Sequence, residues 1–379
     1  MTTYLLAGGG TAGHVNPLLA TADRLRRREA DATILVLGTA EGLESRLVPA
    51  RGYELLTVPR LPFPRRLNGA ALRFPKRIVS SIAGVRRLLR EHHVDVVVGF
   101  GGYAAAPAYL AAWRSKVPIV VHEANAKPGI ANVLGSYVTT HVGVVFASTK
   151  LRHSRQVGMP LRDEIETLDR RATHSEAQQY FGLDPAKPTV LVTGGSTGAR
   201  RLNDTISRSA EAILGAGWQI LHITGEKSDL TSTSLADYHL LRYCDRMDLA
   251  LSAADFVVSR SGSATVSELT ALGLPSILVP YPVGNGEQRF NATDVVAAGG
   301  AEIVADEQFT PAWVRKELVP TLLDRARIAD MAARAASVGV RDGADRMVDL
   351  VLEATPRSAQ SSAPAPHVPP AAATRSEGR

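Results

Sequence analysis

The chain has 379 residues, of which 45% are hydrophobic and 21% are charged, and this composition is typical of a globular protein with about two domains. No apolar run is long enough to span a bilayer, no basic segment of a signal peptide precedes the first strand, and the one cysteine, Cys244, excludes an internal disulfide. These features predict a cytosolic protein and exclude the integral membrane and disulfide-rich classes.

The first half of the chain alternates predicted strands and helices, which is typical of an α/β protein with a parallel sheet. The pattern predicts strands over 5–6, 33–38, 94–99 and 118–123, and helices over 16–27 and 80–92. Glycine-rich or polar residues follow three of the strands, at 8–14, 100–103 and 122–125. Ligands bind beyond the carboxyl ends of the strands in such sheets, so these three clusters are candidate site residues.

A basic segment lies between Glu54 and Glu91, where nine basic residues and no acidic residue occur. Its centre, here called the basic–apolar patch, consists of Leu72, Arg73, Phe74, Lys76, Arg77 and Ile78. Basic side chains around exposed apolar ones suit an anionic membrane surface, whereas the alternative is a solvated helix that binds nothing. Nucleic acid is not expected as a partner, because no aromatic stacking motif and no known nucleic-acid module is visible.

The second half of the chain repeats the alternation of strands and helices. Strands are predicted over 190–193, 219–224, 256–259 and 276–280, with helices between them. Residues 158–160 predict a hinge, and the Ala- and Arg-rich stretch 325–354 predicts helix. After Thr355 the composition changes to Ser, Ala and Pro, which predicts a disordered tail over 355–379.

Each half carries a glycine-rich loop directly after an apolar run, at 8–13 and at 194–198. Backbone N–H groups at such a strand-to-helix junction can hold a phosphate or a carbohydrate. The first loop matches the G-x-G-x-x-G fingerprint, but the next strand ends in Gly38 and Thr39, with Glu41 beyond, so the acid that binds a cofactor ribose is missing from its expected place. We therefore expect a nucleotide-sugar cleft and not an NAD(P) site.

The segment 259–269 is the richest in candidate ligand contacts. Small residues follow a strand and open a helix, whose first N–H groups can hold a phosphate or a uracil carbonyl. Glu268 lies in the first turns of this helix and can accept two hydrogen bonds from a ribose diol, although an acid near a helix start is also stabilising by itself. Gln288, in a polar loop after the next strand, can form hydrogen bonds with sugar hydroxyls.

Several motifs in this order resemble the MurG family, the bacterial UDP-N-acetylglucosamine:lipid I N-acetylglucosaminyltransferases. The motifs are GGTAGH at 9–14, GFGGY at 99–103, HEAN at 122–125, GMPLR at 158–162, GGSTGA at 194–199, the segment 261–268 and QRFNA at 288–292. The resemblance implies an α/β GT-B fold, with two Rossmann-like domains whose parallel sheets face each other across a cleft. It implies an acceptor- and membrane-facing domain over 1–157, a UDP-GlcNAc-binding domain over 158–340, and a last helix, about 341–354, that packs back on the first domain.

The resemblance also implies roles for individual residues, position by position. Contacts to the donor from the first domain are expected at Thr11, Ala12, Gly13 and Asn125. Contacts to the UDP moiety and its sugar from the hinge and the second domain are expected at Arg162, Ser196, Cys244, Ser263, Ala264, Thr265, Val266, Ser267, Glu268 and Gln288. At Cys244 the expected contact is made by the backbone to uracil. The chain departs mildly from the family pattern, with Ala12 and Ala124 in place of Gly and Gln, and Glu287 in place of the first Gln of a pair.

The implied reaction is an inverting transfer of GlcNAc from UDP-GlcNAc to the C4 hydroxyl of MurNAc in lipid I, which forms lipid II. It needs a base for the hydroxyl proton and stabilisation of the leaving diphosphate. His14 is the first candidate for the base and Glu123 the alternative. Because the chain has no Asp-x-Asp pair, we expect no metal and no cofactor, and helix starts with Arg162 would stabilise the diphosphate instead.

The expected partners are UDP-GlcNAc, lipid I and the cytoplasmic face of an anionic cell membrane, to which the protein would bind peripherally. Cell-wall synthesis proteins are further candidate partners. Two alternatives stay open at this point. The first is a related GT-B enzyme acting on a natural product or another lipid, and the second is a UDP-sugar sensor that binds the donor without turnover.

Overall fold

The structure, a computed structural model, describes residues 1–61, 69–195, 198–283 and 286–356, with only the backbone described for 69–73. Of the site residues expected from sequence, Ser196 lies outside the described residues, as does almost all of the expected tail. The same holds for the side chains of Leu72 and Arg73 in the basic–apolar patch. Among the described helices, none combines the length and the hydropathy that crossing a bilayer requires.

The first half forms a seven-stranded parallel sheet with the strand order β3-β2-β1-β4-β5-β6-β7. Its strands are β1 Thr3–Ala7, β2 Thr33–Gly38, β3 Glu54–Thr57, β4 Val96–Gly99, β5 Ile119–Glu123, β6 His141–Val144 and β7 Ser154–Gln156. Its helices are α1 Ala12–Arg28, α2 Glu44–Ala50, α3 Gly69–Glu91, α4 Ala105–Ser115 and α5 Ile130–Ser136. The central strands are continuous β-branched or aliphatic runs because helices cover both faces of the sheet.

The second half forms a six-stranded parallel sheet with the order β10-β9-β8-β11-β12-β13. Its strands are β8 Thr189–Thr193, β9 Gln219–Ile223, β10 Tyr238–Leu241, β11 Phe256–Ser259, β12 Ser276–Leu278 and β13 Ala301–Ile303. The helices before and within it are α6 Asp163–Glu166, α7 Arg170–Phe181, α8 Arg200–Ser207, α9 Ala210–Gly215, α10 Met247–Ala253, α11 Ser263–Ala271, α12 Glu287–Asn291 and α13 Thr293–Ala298. The remaining helices are α14 Pro311–Trp313, a π-helical turn Val314–Leu318, α15 Val319–Leu323, α16 Arg325–Ser337 and α17 Gly343–Ala354.

The chain passes between the two sheets twice, and the two passages lie side by side. The first passage follows β7, and the second lies between α16 and α17. A Cβ on Gly158 in the first would lie 2.5 Å from the Val340 side chain in the second. After the second passage α17 packs on α1, β5 and β6, with Met347, Val348 and Val351 buried in the core of the first sheet.

The structure corrects three helix boundaries expected from the sequence. α1 begins at Ala12, not at residue 16, because Thr11 is extended and Pro17 is accommodated inside the helix. α3 begins at Gly69, not at residue 80, and contains Pro75. The stretch 325–354 is two helices and not one, because the chain must cross between the sheets at 338–342. A Cβ on Gly339 in this crossing would lie only 2.3 Å from the Thr270 carbonyl oxygen.

The strands that sequence reasoning missed are mainly the sheet edges. β3 and β7 are the outer strands of the first sheet, and β10 and β13 are the outer strands of the second. An edge strand has one open side and is covered less completely, so its sequence lacks the continuous apolar run that marks a central strand. The strand β6, next to an edge, also lies outside the strands that the sequence pattern predicts.

Candidate active site

The loops that follow the strands of the two sheets meet in one cleft. In each sheet the strand order reverses next to the first strand, between β1 and β4 in the first sheet and between β8 and β11 in the second. Ligands of open α/β sheets bind at such a reversal, beyond the carboxyl ends of the strands. Both glycine-rich loops recognised in the sequence follow a strand at a reversal, so both border the cleft.

His14 lies in the first turn of α1, above the first glycine-rich loop. Its Nδ1 lies 3.2 Å from the Gly9 carbonyl oxygen and 3.2 Å from the Thr11 hydroxyl. A carbonyl can only accept, so we assign the proton to Nδ1, which leaves Nε2 as the basic nitrogen. Burial lowers the pKa of His14, opposed by the negative charge of Glu123 and by the hydrogen bond to Gly9. The imidazole is therefore neutral at pH 7 and able to accept a proton.

The loop after β4 packs directly against this histidine. A Cβ on Gly101 would lie 3.2 Å from His14 Nε2, and a Cβ on Gly102, whose φ is +78°, would lie 2.5 Å from the Gly9 carbonyl oxygen. Both positions therefore favour glycine for their left-handed backbone, since the φ of Gly101 is +92°, and Gly102 needs it for space as well. The two glycine motifs of the first domain form one surface that carries His14.

Glu123 lies at the end of β5 and is only 2% exposed. One carboxylate oxygen accepts the Asn125 N–H at 2.8 Å, and the other accepts the Gly129 N–H and the Asn132 amide, both at 2.9 Å. A carboxylate with both oxygens engaged by N–H donors in the protein is poorly placed to accept the proton of a substrate hydroxyl. This geometry favours the anchoring of the 124–129 loop as the role of Glu123, with His14 as the base.

Asn291, on α12 of the second half, joins the two sides of the cleft. Its amide oxygen accepts the Ala126 N–H at 2.9 Å, and its amide nitrogen donates to the Asn125 side-chain oxygen and to the Ser261 carbonyl oxygen, both at 3.3 Å. Sequence reasoning quoted this residue within a motif but gave it no role. Its only sequence signal is its place in the QRFNA motif, and only the tertiary structure shows that it is buried between two loops.

A pocket of about 310 Å³ lies between the second glycine-rich loop and α11. Its lining brings together residues that sequence reasoning had selected separately, namely Cys244, Thr265, Glu268 and Gln288, and adds Arg260. Gly194 and Gly195 form its edge on the glycine-loop side. The pocket thus combines backbone N–H groups, an acid, an amide and an arginine, which is a suitable set for a nucleoside diphosphate.

Arg162, in the hinge, lies next to Glu268 of this pocket. Its guanidinium nitrogen lies 3.5 Å from a Glu268 carboxylate oxygen, and the Glu268 side chain is 18% exposed. Burial raises the pKa of Glu268, and the positive charge of Arg162 opposes that rise. The two residues that were expected to contact the UDP moiety are therefore neighbours, although they lie more than 100 positions apart in the sequence.

Val266 and Ser267 are absent from the lining of this pocket, so their contact with the donor stays a prediction. Both are buried and line a separate cavity behind α11, near the hinge. Successive helical residues are rotated by about 100°, so Thr265, Glu268 and Leu269 share the pocket face, whereas Val266, Ser267 and Thr270 share the opposite one. The Val266 N–H is also used within the helix, by the Gly262 carbonyl.

Cys244 and Gln288 both line the pocket. Cys244 is 9% exposed, and burial raises the pKa of its thiol to about 11, so the thiol stays protonated and uncharged at neutral pH. The Gln288 amide oxygen accepts the Tyr281 N–H at 2.9 Å. This bond fixes the orientation of the amide, so its NH₂ group is the part that can donate a hydrogen bond to a sugar.

The remaining candidates from the first domain lie at the start of α1 and α3. Thr11 and Ala12 are exposed and Gly13 is half-buried, all within one turn of His14. On α3, Lys76 and Arg77 are exposed, whereas Ile78 is half-buried and packs on the core of the first sheet. The exposed apolar side chains nearby are Val79, at 63%, and Trp113 on the adjacent helix α4, at 53%.

Comparison with known proteins assigns both halves of the chain to one family. Residues 4–144 match the glycosyltransferase family 28 N-terminal domain, and residues 189–347 match the glycosyltransferase family 28 C-terminal domain. A crystal structure of MurG from Acinetobacter baumannii is similar in fold, with a TM-score of 0.78 and 26% identity, over 93% of this chain and 100% of that one.

Two curated relatives are similar over nearly their whole length. Both bear the name UDP-N-acetylglucosamine--N-acetylmuramyl-(pentapeptide) pyrophosphoryl-undecaprenol N-acetylglucosamine transferase. The relative from Leifsonia xyli is 62% identical over 351 residues, which is 93% of this chain and 98% of the relative. The relative from Clavibacter sepedonicus is 62% identical over 355 residues, which is 93% of this chain and 97% of the relative. Together with its two-sheet architecture, this similarity shows that the chain belongs to the MurG family of glycosyltransferase family 28.

Proposed function

We propose that the protein transfers GlcNAc from UDP-GlcNAc to the C4 hydroxyl of MurNAc in lipid I, forming lipid II for peptidoglycan synthesis. The names of its relatives describe the same donor and the same class of acceptor. The observation that carries the proposal is the bridge made by Asn291, which brings the His14 side of the cleft and the donor pocket together through Asn125 and Ser261. An acceptor held on one side can therefore reach a donor held on the other.

The proposed chemistry is a single displacement with inversion. His14 Nε2 takes the proton of the C4 hydroxyl, the oxygen forms a bond to the anomeric carbon, and the bond from that carbon to the β-phosphate oxygen breaks. UDP leaves with the electron pair. The Nδ1 proton held by the Gly9 carbonyl keeps the ring in the tautomer that this step requires.

The leaving diphosphate gains negative charge and must be stabilised. The start of α11 presents backbone N–H groups there, because the first turn of a helix has no partners for them within the helix. Arg162 adds a positive charge beside the pocket. Ser263 and Ala264 contribute as the first residues of α11, and Ser196 stays a predicted diphosphate contact from the second glycine-rich loop.

Contacts to the donor sugar are proposed from both sides of the cleft. Gln288 offers its amide NH₂ group from the second domain, since its oxygen is already used by Tyr281. Asn125, held by Asn291, and the start of α1 at Thr11, Ala12 and Gly13 would approach the sugar from the first domain. Uracil would lie near the Cys244 backbone, and the ribose diol would donate to Glu268.

The deciding experiment measures transfer of radiolabelled GlcNAc from UDP-GlcNAc to a short-chain lipid I analogue. We expect transfer by the wild type and a loss of about 10²- to 10⁴-fold in kcat for His14→Ala, with UDP binding unchanged by calorimetry. His93→Asn, an exposed histidine at a helix end, is the matched control and should transfer normally. A folded wild type that binds UDP but transfers nothing would overturn the proposal and favour a sensor.

The pH dependence of kcat tests the same assignment. A general base works in its neutral form, and burial lowers the pKa of His14 below the usual range for histidine. We therefore expect activity to persist below about pH 6.5 and to fall only as the pH drops through this lowered pKa. A kcat profile whose acidic limb lies above pH 7 would contradict His14 as the base.

We also propose that α3 rests on the cytoplasmic face of an anionic membrane, where an undecaprenyl-linked acceptor would lie. Lys76 and Arg77 are exposed on this helix, and each basic side chain near such a surface adds about 1 kcal/mol of attraction. Charge reversal of both, together with Arg73, should abolish sedimentation with vesicles of anionic lipid. The matched control reverses Arg315, Lys316 and Arg325, three exposed cations outside the first sheet's half. Equal loss in both variants would contradict a specific surface.

A further inference from the structure

We propose that Glu44 is a positioning residue of the transfer reaction, a buried carboxylate beneath the first glycine-rich loop that fixes the loop backbone and, through it, His14. The proposal rests on the proposed function, in which His14 is the base. Glu44 lies at the start of α2 and is 0% exposed. It has no place in the roles assigned above, and the sequence pattern does not single it out.

The carboxylate joins the ends of two neighbouring strands. One oxygen accepts the Gly10 N–H at 2.8 Å, in the loop after β1. The other accepts the Thr39 N–H at 2.8 Å and the Thr39 hydroxyl at 2.7 Å, at the end of β2. Charge-assisted bonds of this length are the strong class of hydrogen bond, so they hold the loop in one conformation.

The protein backbone encloses this carboxylate closely. A Cβ on Gly9, Gly38 or Gly42 would lie within 2.5 Å of a Glu44 side-chain atom. A larger residue would therefore not fit at these three positions, where the backbone passes the Glu44 carboxylate. Such enclosure leaves the carboxylate in a single position and excludes water from it.

The bond to Gly10 also determines what the first loop can bind. In a dinucleotide fold the N–H groups of this loop hold a pyrophosphate. Here the Gly10 N–H already donates to Glu44, and the negative charge of the Glu44 carboxylate would repel a phosphate. The first glycine-rich loop is therefore built to position His14 against an uncharged hydroxyl, and the diphosphate is left to the second domain.

Glu44 also acts on the charge state of His14. Three titratable groups from the packed elements face His14: Glu44 from α2, Glu123 from β5 and His122 from β5. The two carboxylates raise the pKa of His14, against the larger effect of burial, whereas protonated His122 would oppose protonation of His14. Removing the charge of Glu44 should therefore lower the pKa of His14 and make it a weaker base.

The test compares the wild type with Glu44→Gln and with Glu41→Gln, a control that removes an exposed charge from the same connection. Histidine labelled with ¹³C at Cε1 lets the His14 pKa be read directly by NMR titration, with His14→Ala to assign the resonance. We expect Glu44→Gln to lower this pKa, to move the acidic limb of kcat to lower pH, and to reduce kcat by about 10- to 100-fold. UDP affinity should stay unchanged, and Glu41→Gln should match the wild type.

Two results separate failure of this proposal from failure of the proposed function. A wild type that transfers GlcNAc, with a His14 pKa and kcat unaltered in folded Glu44→Gln, would overturn the role of Glu44 alone. A wild type without transfer would overturn the proposed function, whereas the His14 titration would still decide whether Glu44 acts on His14.

A second variant and a wild-type measurement cover the case in which Glu44→Gln does not fold. Glu44→Asp keeps the charge but is one methylene shorter, so the His14 pKa should stay near its wild-type value while kcat falls because Gly10 loses its acceptor. In the wild type, the Gly10 amide should be protected from hydrogen exchange although it lies in a loop. Rapid exchange of this amide would overturn the proposal without any variant.

Discussion

At the scale of single residues, the donor pocket depends on a pair that is close but not tightly bonded. Arg162 and Glu268 lie 3.5 Å apart, which is longer than a strong ion-pair hydrogen bond. Burial raises the pKa of Glu268, and Arg162 opposes that rise only in part. We expect two ribose hydroxyls to donate to this carboxylate, and ligand binding would therefore be worth more at this residue than at a solvated acid.

We predict that Glu268→Ala weakens UDP binding by about 10- to 100-fold, because hydrogen bonds to a charged group are worth about 1.5–3 kcal/mol each. Isothermal calorimetry measures the effect. Glu211→Ala, which removes an exposed acid of α9 in the same domain, is the control and should bind UDP like the wild type. Equal affinity in Glu268→Ala and the wild type would remove this residue from the ribose contact.

At the scale of elements, α17 belongs in sequence to the end of the chain but in packing to the first domain. Met347, Val348, Leu350 and Val351 are buried on its inner face, in the core that surrounds β1 and α1. On its outer face Asp349 pairs with Arg28 of α1 at 2.6 Å, with both side chains partly exposed. The apolar face therefore contributes most of the stability of this docking, since surface ion pairs contribute little.

We predict that Met347→Ala lowers the free energy of unfolding by about 2–5 kcal/mol, because it leaves a cavity in a closed core. Asp349→Ala on the same helix should cost at most about 1 kcal/mol. Urea unfolding followed by fluorescence and circular dichroism gives both values. Similar losses for the two variants would show that charge, and not apolar packing, holds α17 on the first domain.

At the scale of the whole molecule, catalysis depends on how the two domains meet. The bonds of Asn291 to Ala126 and Asn125 join the second half of the chain to the first, whereas its bond to Ser261 stays within the second half. They connect the loop that Glu123 anchors with the start of α11, where the diphosphate is proposed to lie. A small change in their geometry would alter the distance between acceptor and donor without altering either domain.

We predict that Asn291→Ala reduces kcat by about 10- to 100-fold, since a displacement of about 1 Å between reactants has effects of this order. UDP affinity should change little, because the donor pocket lies within the second domain. The control is Asn203→Ala, which removes a buried asparagine whose bonds to Thr224 and Ser228 stay inside that domain. It should lose stability but keep its transfer rate, whereas equal losses of kcat would contradict a coupling role.

The sequence by itself determined the central strands, the two glycine-rich loops and the α/β class. Buried parallel strands are continuous apolar runs, and a glycine-rich turn before a helix has a local signature. His14, Glu268 and Gln288 could be selected for the same reason, because each follows such a strand. The edge strands and the break between α16 and α17 could not be predicted in this way. The edge strands depend on how completely each sheet is covered, and the break depends on where the chain crosses between the domains.

Only the tertiary structure decided which of these residues act together. The pairing of Arg162 with Glu268, the bridge of Asn291 and the absence of Val266 and Ser267 from the pocket lining all depend on how α11 is set between the hinge and the pocket. The place of Glu44 is the clearest case. The residues around Glu44 in the sequence indicate an exposed connection after β2. In the fold, α2 lies under the first glycine-rich loop. A buried carboxylate needs N–H and O–H donors, and Glu44 has them there in Gly10 and Thr39. Such long-range satisfaction of polar groups leaves no local pattern in a sequence.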